Sequence, residues 1–278
     1  MHLSQTFQTM LFAPGNRLDR VRKAHGSAAD VICIDLEDSV PAAEKAAARD
    51  SVVAFLQAEA EERTAVRINN LRTRFGLDDL RALADLAHRP GIVFVPMVES
   101  VAELDIIHSV LADETVRIVP LIETAQGLAM AEEVGRAPGV DTVMFGGGDM
   151  AALLGVDVAW DPLLPARGQL ILACARAGVR AVDVPYLDVK NEAGLMEETR
   201  KARALGFVAK AAIHPAQVDP IKAVLRPSPD ELERARAAVK TFREAGGRAV
   251  SFNGLMLDEP VVRRFEAILS FDSEENNA

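Results

Sequence analysis

Residues 117–150 read RIVPLIETAQGLAMAEEVGRAPGVDTVMFGGGDM, and they contain the pattern that decides the fold. A short apolar run ends in the acid Glu123, an amphipathic stretch follows, and a second apolar run ends in Gly146–Gly148 and Asp149. Short apolar runs of this kind predict buried parallel strands, whereas apolar residues that recur near helical spacing predict a helix. The segment therefore predicts a strand–helix–strand unit with polar residues at the end of each strand.

The same alternation runs along the chain to about residue 226. The predicted strands are Thr9–Ala13, Val31–Leu36, Ala65–Asn69, Ile92–Met97, Arg117–Ile122, Thr142–Phe145, Ala181–Val184 and Val208–Ile213. Eight strands, each followed by a helical stretch, match a (β/α)8 TIM barrel in number and length. A doubly wound α/β sheet is the alternative, because periodicity cannot show whether a parallel sheet closes.

A change of composition follows the barrel pattern. Pro227 and Pro229 end the preceding element, and a charged helical segment then runs to Gly246–Gly247. Beyond it, RAVSFNGLMLDEPVVRRFEAIL predicts an extended piece, a turn and a last helix. We therefore divide the chain into a barrel, residues 1–226, and a C-terminal helical extension, residues 227–278, which we expect to pack on a neighbouring subunit.

The bulk composition narrows the classes of partner. The 278 residues carry a net charge of −10, are 49% hydrophobic and 26% charged, and so describe an ordinary globular protein with no expected nucleic-acid or membrane partner. The only two cysteines, Cys33 and Cys174, fit buried thiols of a cytoplasmic protein better than a disulfide framework. The first ten residues, MHLSQTFQTM, lack the pattern of a targeting segment.

Polar residues collect at the predicted strand ends. The acids Glu37, Asp38, Glu123 and Asp149 and the cation Arg67 each follow an apolar run. Because active sites of parallel barrels lie at the carboxyl ends of the strands, we expect these five side chains to share one rim. Any one of them alone could be a helix cap or an ordinary loop residue.

Glu123 and Asp149 follow strands that are adjacent in the predicted order. Two carboxylates without a nearby Cys or His cluster favour a hard cation, which points to Mg²⁺. The alternative is that both acids are helix N-caps. Bare backbone at Gly146–Gly148 favours a substrate carboxylate beside the cation, and His214 is interpreted as a hydrogen-bonded structural residue.

Seven stretches, taken together, resemble the citrate lyase β-subunit-like family, which includes malyl-CoA and citramalyl-CoA lyases. They are LFAPGNR (11–17), ICIDLEDSV (32–40), VRIN (66–69), PLIETAQG (120–127), FGGGDM (145–150), AAIHPAQ (211–217) and SFNGLMLDEPVV (251–262). The resemblance implies a (β/α)8 barrel of the phosphoenolpyruvate/pyruvate type with a C-terminal extension, assembled as a homotrimer or hexamer. The glycine turn departs from the family, many members of which carry other small residues there.

The resemblance also implies roles for individual residues. It places Mg²⁺ on Glu123 and Asp149, and it gives Arg67 the carboxylate or carbonyl of a small 2-oxo acid. Glu37 and Asp38 would hold the metal waters and Arg67. The remaining implied contacts are Arg17 and Lys23 with the CoA part, Gly147 and Gly148 with the substrate, and Asp258 as the acid that the extension delivers to a neighbouring subunit.

The implied activity is Mg²⁺-dependent cleavage or formation of a carbon–carbon bond between an acyl-CoA thioester and a 2-oxo acid. Malyl-CoA and citramalyl-CoA are the expected type of substrate. Three alternatives remain open at this stage: a citrate lyase β subunit that acts on a carrier-bound citryl thioester, a CoA-independent aldolase of hydroxy-oxo acids, and a non-catalytic component that binds acyl thioesters.

Overall fold

The computed structural model describes residues 7–275, with the side chains of 271–275 excepted. The first six residues of the segment tested for a targeting signal lie outside the described residues. The chain divides into two compact units, one from Phe7 to Lys222 and one that begins at Ala223. Among the described residues, no helix combines the length and the apolar character needed to cross a membrane.

The first unit is a closed barrel of eight parallel strands in sequential order. The strands are β1 (Thr9–Pro14), β2 (Val31–Asp35), β3 (Thr64–Arg67), β4 (Ile92–Val95), β5 (Arg117–Ile122), β6 (Thr142–Phe145), β7 (Arg180–Asp183) and β8 (Ala209–Ala212). Closure is seen in β1, which pairs with β2 on one side and with β8 on the other. The TIM barrel prediction is confirmed, each predicted strand end lies within two residues of the observed one, and the doubly wound alternative is wrong.

Helices connect the strands on the outside of the barrel. They are α1 (Leu18–His25), α2 (Lys45–Ala58), α3 (Arg74–Ala84), α4 (Val101–Leu111), α5 (Ala125–Ala129), α6 (Ala131–Gly135), α7 (Gly147–Leu154), α8 (Trp160–Ala177), α9 (Glu192–Leu205) and, after a 3₁₀ turn at Pro215–Gln217, α10 (Val218–Leu225). The amphipathic stretch that follows Glu123, predicted as one helix, is interrupted at Met130. Its N–H donates to the carbonyls of both Gln126 and Gly127, at 3.1 Å each, which ends one short helix and starts the next.

Almost every residue in the strands is buried. In β2, β3, β4 and β6 all side chains are buried, which explains continuous apolar runs without the alternation of a half-exposed sheet. Burial of this kind leaves the strand ends and the loops after them as the places where polar side chains reach solvent. The acids and the arginine singled out above lie at those ends.

A buried ionic cluster lies between the strands and the outer helices. Asp183 in β7 receives a hydrogen bond from Arg167 Nε of α8 at 2.8 Å and one from Lys210 Nζ of β8 at 2.6 Å. Lys210 also donates to Glu198 of α9 at 2.8 Å. Burial alone would raise the pKa of Asp183, but the two cations outweigh it and hold the pKa below its ordinary value. The cluster ties two strands to two helices.

The second unit is a helix, a hairpin and a last helix. Helix α11 (Pro229–Glu244) starts at Ser228, whose side chain accepts from the Glu231 N–H in a capping box. Strands β9 (Val250–Phe252) and β10 (Leu255–Leu257) pair antiparallel, and α12 (Glu259–Glu275) follows. A hydrophobic cluster in this unit consists of Ala235, Ala238, Val239, Phe242, Leu257, Val262 and Phe265. The predicted extended piece is thus a two-stranded hairpin.

Candidate active site

Arg67, the last residue of β3, is held by a carboxylate that the sequence analysis did not select. Its Nε and Nη2 donate to the two carboxylate oxygens of Asp35 at 2.7 Å each, and both side chains are buried. The two residues are direct register partners on neighbouring strands. A fork of this geometry is among the stronger charged contacts in proteins, so it fixes the orientation of the guanidinium.

The missed residue had a signal in the sequence. Asp35 is an acid inside the apolar run ICIDL, where a buried charge requires a partner. Burial would raise its pKa, but the Arg67 charge and hydrogen bonds outweigh burial, and the pKa is lowered. Asp35 also accepts from the N–H groups of Glu37 at 2.9 Å and Ser39 at 3.1 Å. It therefore organises the loop after β2 as well as Arg67.

Glu37 and Asp38 approach the other end of the same guanidinium. Glu37 Oε2 lies 2.8 Å from Arg67 Nη1 outside hydrogen-bonding geometry, and Asp38 Oδ2 accepts from the same nitrogen at 3.4 Å. The Phe12 ring lies 4.8 Å from the guanidinium carbon and covers one face of it. Arg67 is thus enclosed by three acids and a ring.

Glu123, the residue after β5, is buried with 4% of its surface exposed. Its Oε2 accepts from the Met97 N–H at 2.7 Å. Met97 has a φ of 57°, a left-handed conformation that is uncommon for a residue with a side chain. The backbone after β4 therefore adopts an unfavourable conformation at the residue whose N–H holds Glu123.

The three glycines differ in what they allow. A Cβ at Gly146 would lie 2.1 Å from Glu123 Cγ, so the Glu123 side chain occupies the space that a side chain at 146 would need. A Cβ at Gly147 would lie 3.1 Å from Val184 Cγ1, whereas one at Gly148 would meet nothing within 4 Å. Gly146 thus makes room for the acid, and Gly148 lies on the wall of the cavity described below.

The interpretation of Glu123 and Asp149 as helix N-caps is wrong. The cap before α5 is Thr124, whose hydroxyl accepts from the Gly127 N–H at 2.9 Å. The cap before α7 is Gly146, and Asp149 is the third residue of that helix. Neither carboxylate is therefore needed to start a helix.

A cavity of about 710 Å³ opens at this end of the barrel, and Arg67 and four of the acids, Asp35, Asp38, Glu123 and Asp149, line it. Its polar lining includes Arg20, Lys23, Asp35, Asp38, Arg67, Glu123, Asp149 and His214, and its apolar lining includes Leu11, Phe12, Leu121, Met144 and Val184. A cavity that combines apolar walls with a small number of polar groups is typical of a small-molecule site. Sequence reasoning missed Arg20, although it lies three residues before Lys23 and so shares a face of α1.

Four predicted site residues are not among the lining residues, and one of them is Glu37, which lies beside Arg67 as described above. Arg17 folds onto its neighbour Asp19, with nitrogen–oxygen distances of 2.9 and 2.8 Å, and both are exposed. Gly147 packs against Val184, which itself lines the cavity. Asp258 belongs to the second unit, where it is exposed and its Oδ1 accepts from the Val261 N–H at 3.1 Å, a capping contact at the start of α12.

His214 both stabilises a turn and lines the cavity. Its Nδ1 accepts from the Ala216 N–H at 3.2 Å, and the Gln217 side chain returns to the His214 N–H at 3.3 Å. His214 is therefore the hydrogen-bonded residue that the sequence predicts, and the structure shows in addition that it lines the cavity.

The carboxylates exceed the positive charge around Arg67. Burial raises the pKa of Glu37 to about 9 and that of Glu123 to about 7, and neighbouring acids contribute to both shifts. Burial and then Asp38 raise the pKa of Asp149. Arg67 opposes all of these shifts, but only for Asp35 do its charge and hydrogen bonds outweigh burial and lower the pKa. The metal-free site would bind either protons or a further cation.

The residues present fit a hard divalent cation. Glu123 and Asp149 offer carboxylate oxygens to one cavity, and each carries a raised pKa that a bound cation would reverse. Across residues 7–275, no group of three or more His, Cys, Asp or Glu side chains is arranged to hold a metal. A cation on these two acids would therefore take its other ligands from water or substrate, as Mg²⁺ commonly does.

A closed parallel barrel with buried charged residues at the carboxyl ends of its strands is the architecture of a barrel enzyme. Residues 8–215 match the sequence model of the HpcH/HpaI aldolase/citrate lyase family. The chain belongs to this family, and it is an enzyme of the carbon–carbon lyase type.

The relatives name several reactions. A citrate lyase subunit beta-like protein of Mycobacterium tuberculosis is 36% identical over 97% of each chain. A (3S)-malyl-CoA thioesterase of Cereibacter sphaeroides is 36% identical over 88% of this chain and 86% of its own. The human mitochondrial citramalyl-CoA lyase is 29% identical over 92% of this chain and 83% of its own.

A solved structure covers almost the whole chain. Protein CitE of Mycobacterium tuberculosis, in complex with magnesium, acetoacetate and coenzyme A, superposes with a TM-score of 0.83 at 34% identity. The match covers 96% of this chain and 98% of that one. The solved structure thus shares the fold of this chain, and the relatives differ in the reaction that their names state.

Replacing Gly146 by Ala should displace Glu123, because the added Cβ would lie 2.1 Å from Glu123 Cγ. Mg²⁺ at about one hundred times its Kd should stabilise the wild-type protein by about 2.7 kcal/mol, and Gly146→Ala should lose most of this gain. Thermal melts with Mg²⁺ and with chelator measure it. Gly148→Ala is the matched control, and equal Mg²⁺ responses of the two variants would refute the role of Gly146.

The metal-free protein should lose stability as the pH rises. The pKa of Glu123 is raised from 4.5 to about 7 in the fold, so folding favours the protonated form and this contribution is lost between about pH 4.5 and 7. Glu123→Gln stays neutral and should therefore exceed the wild type by about 3 kcal/mol at pH 8.5, with little difference near pH 4.5. Urea unfolding in chelator measures both proteins.

The exposed Glu62→Gln controls for the substitution itself. If Glu123→Gln and the wild type kept the same stability difference from pH 4.5 to pH 8.5, the buried charge would not be the cause.

Proposed function

We propose that the protein is a Mg²⁺-dependent lyase that cleaves or forms a 3-hydroxyacyl-CoA of the malyl-CoA or citramalyl-CoA type, with a 2-oxo acid and acetyl-CoA as the other reactants. The observation that carries the proposal is the excess of carboxylates around one fixed arginine beside the cavity, where the pKa values of Glu37 and Glu123 are raised. This arrangement suits a divalent cation and an anionic substrate together. The names of the relatives support the same substrate class.

In this proposal Glu123 and Asp149 are the protein ligands of Mg²⁺. Bound there, the ion would supply Lewis-acid stabilisation to the substrate oxygen that becomes the carbonyl. The Met97 N–H and the absence of a side chain at 146 would hold Glu123 in place. Gly147 and Gly148, the first residues of α7, would offer backbone N–H groups to the substrate carboxylate.

Arg67 would bind the carboxylate of the oxo-acid fragment. Its Nε–Nη2 edge is occupied by Asp35, so the substrate would use the edge that carries Nη1. The contact of Asp38 with that edge is long, at 3.4 Å, and is the one that a substrate carboxylate would most easily replace. Asp38 and Glu37 would then hold water near the cation.

The bond cleavage requires a group that protonates the thioester enolate. The substrate hydroxyl would give its proton to the water held by Glu37 and Asp38. The carbon–carbon bond would then break as the hydroxyl carbon becomes the carbonyl, and the electron pair of that bond would pass to the thioester fragment. We assign protonation of that carbon to Asp258 of a neighbouring subunit, within a homotrimer or hexamer. In its own subunit, Asp258 accepts a hydrogen bond from the Val261 N–H through Oδ1. In the direction of synthesis the same carboxylate would remove the proton from acetyl-CoA.

The CoA part would lie along α1. Arg20 and Lys23 line the cavity from one face of this helix and would meet phosphate groups there. Arg17, at the start of the helix, could join them after release from Asp19, since that exposed pair is weak. An enzyme that needs no CoA would have no use for these cations.

The thioester assay tests the proposed reaction. Purified protein with Mg²⁺ should convert malyl-CoA or citramalyl-CoA to acetyl-CoA and an oxo acid, and chelator should stop it. Release of free CoA and malate would instead match the thioesterase named among the relatives. Turnover of a carrier-bound thioester alone, or of a free hydroxy-oxo acid alone, would replace the proposal by the corresponding alternative.

Arg67→Lys in the same assay tests the arginine. A point-charged ammonium cannot keep the Asp35 fork and a substrate carboxylate together, so kcat/KM should fall by roughly 2–5 kcal/mol in transition-state stabilisation. A Lys variant close to wild type would refute the clamp.

Subunit mixing tests Asp258. Asp258→Ala and Asp149→Ala should each be inactive as pure proteins, and subunit exchange between them should restore part of the activity. Mixed oligomers would contain sites that combine an intact metal pair with an intact visiting acid. Exchange proven by mass spectrometry without recovery would contradict catalysis across subunits, and Glu259→Ala, the neighbouring exposed acid, is the control.

A further inference from the structure

Lys45, the first residue of α2, is half-buried behind the loop that carries Glu37 and Asp38. Its Nζ donates to the carbonyl oxygens of Leu36 at 3.0 Å and Glu37 at 2.7 Å, and to Asn69 Oδ1 at 2.5 Å. An ammonium has three N–H donors, and each has an acceptor here. Lys45 does not line the cavity.

The backbone N–H and carbonyl of Glu37 each form a hydrogen bond with a charged side chain. Its N–H donates to Asp35 Oδ1 at 2.9 Å, and its carbonyl accepts from Lys45. With both backbone groups held, the Cα–Cβ direction of Glu37 is fixed, and its Oε2 lies 2.8 Å from Arg67 Nη1. Because that last contact lacks hydrogen-bonding geometry, the backbone rather than the contact itself decides where the Glu37 carboxylate lies.

Asn69 connects this loop to the strand of Arg67. It lies two residues after Arg67, accepts from Lys45, and donates through Nδ2 to the Leu36 carbonyl at 2.9 Å and to Asp79 at 2.6 Å. The Asn69 N–H also donates to Asp79, at 2.9 Å. The loop after β2 and the end of β3 are therefore joined by one polar group centred on the Lys45 ammonium.

We propose that Lys45 is a positioning residue for the reaction: it anchors the loop that carries Glu37 and so holds the Glu37 carboxylate beside Arg67 Nη1, on the edge of the guanidinium that would meet the oxo-acid carboxylate. The inference rests on the function proposed above for Arg67. A charged anchor outside the cavity explains why the Glu37 carboxylate stays beside Arg67, although burial and neighbouring acids oppose its charge. Outer partners of this kind are worth about 10- to 100-fold in activity where they have been removed from metal sites.

A double-mutant cycle with Glu37 tests the proposal. Lys45→Met keeps the aliphatic stem and removes the ammonium, and it should lower kcat/KM by about 10- to 100-fold. If Lys45 acts through Glu37, the double variant Lys45→Met/Glu37→Gln should be no slower than Glu37→Gln alone. Losses that multiply in the double variant, or a Lys45→Met enzyme within twofold of wild type, would overturn the proposal.

Lys222→Met is the matched control. Lys222 also donates to a main-chain carbonyl, that of Ala28 at 2.5 Å, and pairs with Asp30 at 2.5 Å, at the amino ends of the strands. The Lys222→Met protein should show a loss of melting temperature comparable to that of Lys45→Met while it retains the wild-type kcat/KM. Mn²⁺ binding, followed by electron paramagnetic resonance, should be unchanged in both variants, and weaker Mn²⁺ binding in Lys45→Met would assign Lys45 to the metal site instead.

A crystal structure of Lys45→Met decides the geometry even if no thioester is turned over. Separation of Glu37 Oε2 from Arg67 Nη1 well beyond 2.8 Å would support the proposal, and an unchanged contact would overturn it. If Lys45→Met does not fold, Lys45→Arg serves in its place, because a planar guanidinium retains the charge but cannot bring three donors to the position of the ammonium.

Discussion

The fork between Arg67 and Asp35 is the contact on which the site depends. A buried guanidinium requires a partner, and Asp35 satisfies two of its nitrogens at 2.7 Å. This pairing uses one of the nearby carboxylates and leaves Glu37, Glu123 and Asp149 with raised pKa values. The barrel thus holds negative charge that its own residues do not neutralise, which is a cost in stability and a means of binding cations.

The fold follows from the sequence because the barrel buries whole strands. Short, continuous apolar runs bounded by turn residues predict buried strands, and all eight predicted strands are present in the structure. Periodicity alone could not show closure, since closure depends on the pairing of β1 with β8, two strands far apart in the sequence; the number of strands and the family resemblance favoured it. The interruption at Met130 likewise depends on local backbone hydrogen bonds that periodicity does not report.

The candidate site was less predictable than the fold, for a related reason. Glu37, Asp38, Glu123 and Asp149 were found because they follow apolar runs, where a polar residue is easily noticed. Asp35 was missed because it lies inside such a run and was treated as part of the strand. The choice between a cap and a ligand also needed coordinates, because hydroxyl or backbone groups at neighbouring positions can start the same helices.

Gly146 has a consequence for how the gene can change. Every single-base replacement that alters a glycine codon, apart from those that create a stop, introduces an amino acid with a Cβ, and at this position the Cβ would overlap the Glu123 side chain. Codon 146 therefore has no neighbouring codon for another amino acid that would keep this packing, whereas codon 148 borders open space. We therefore expect substitutions to accumulate at Gly148, the third glycine of the run, and to be eliminated at Gly146, the first.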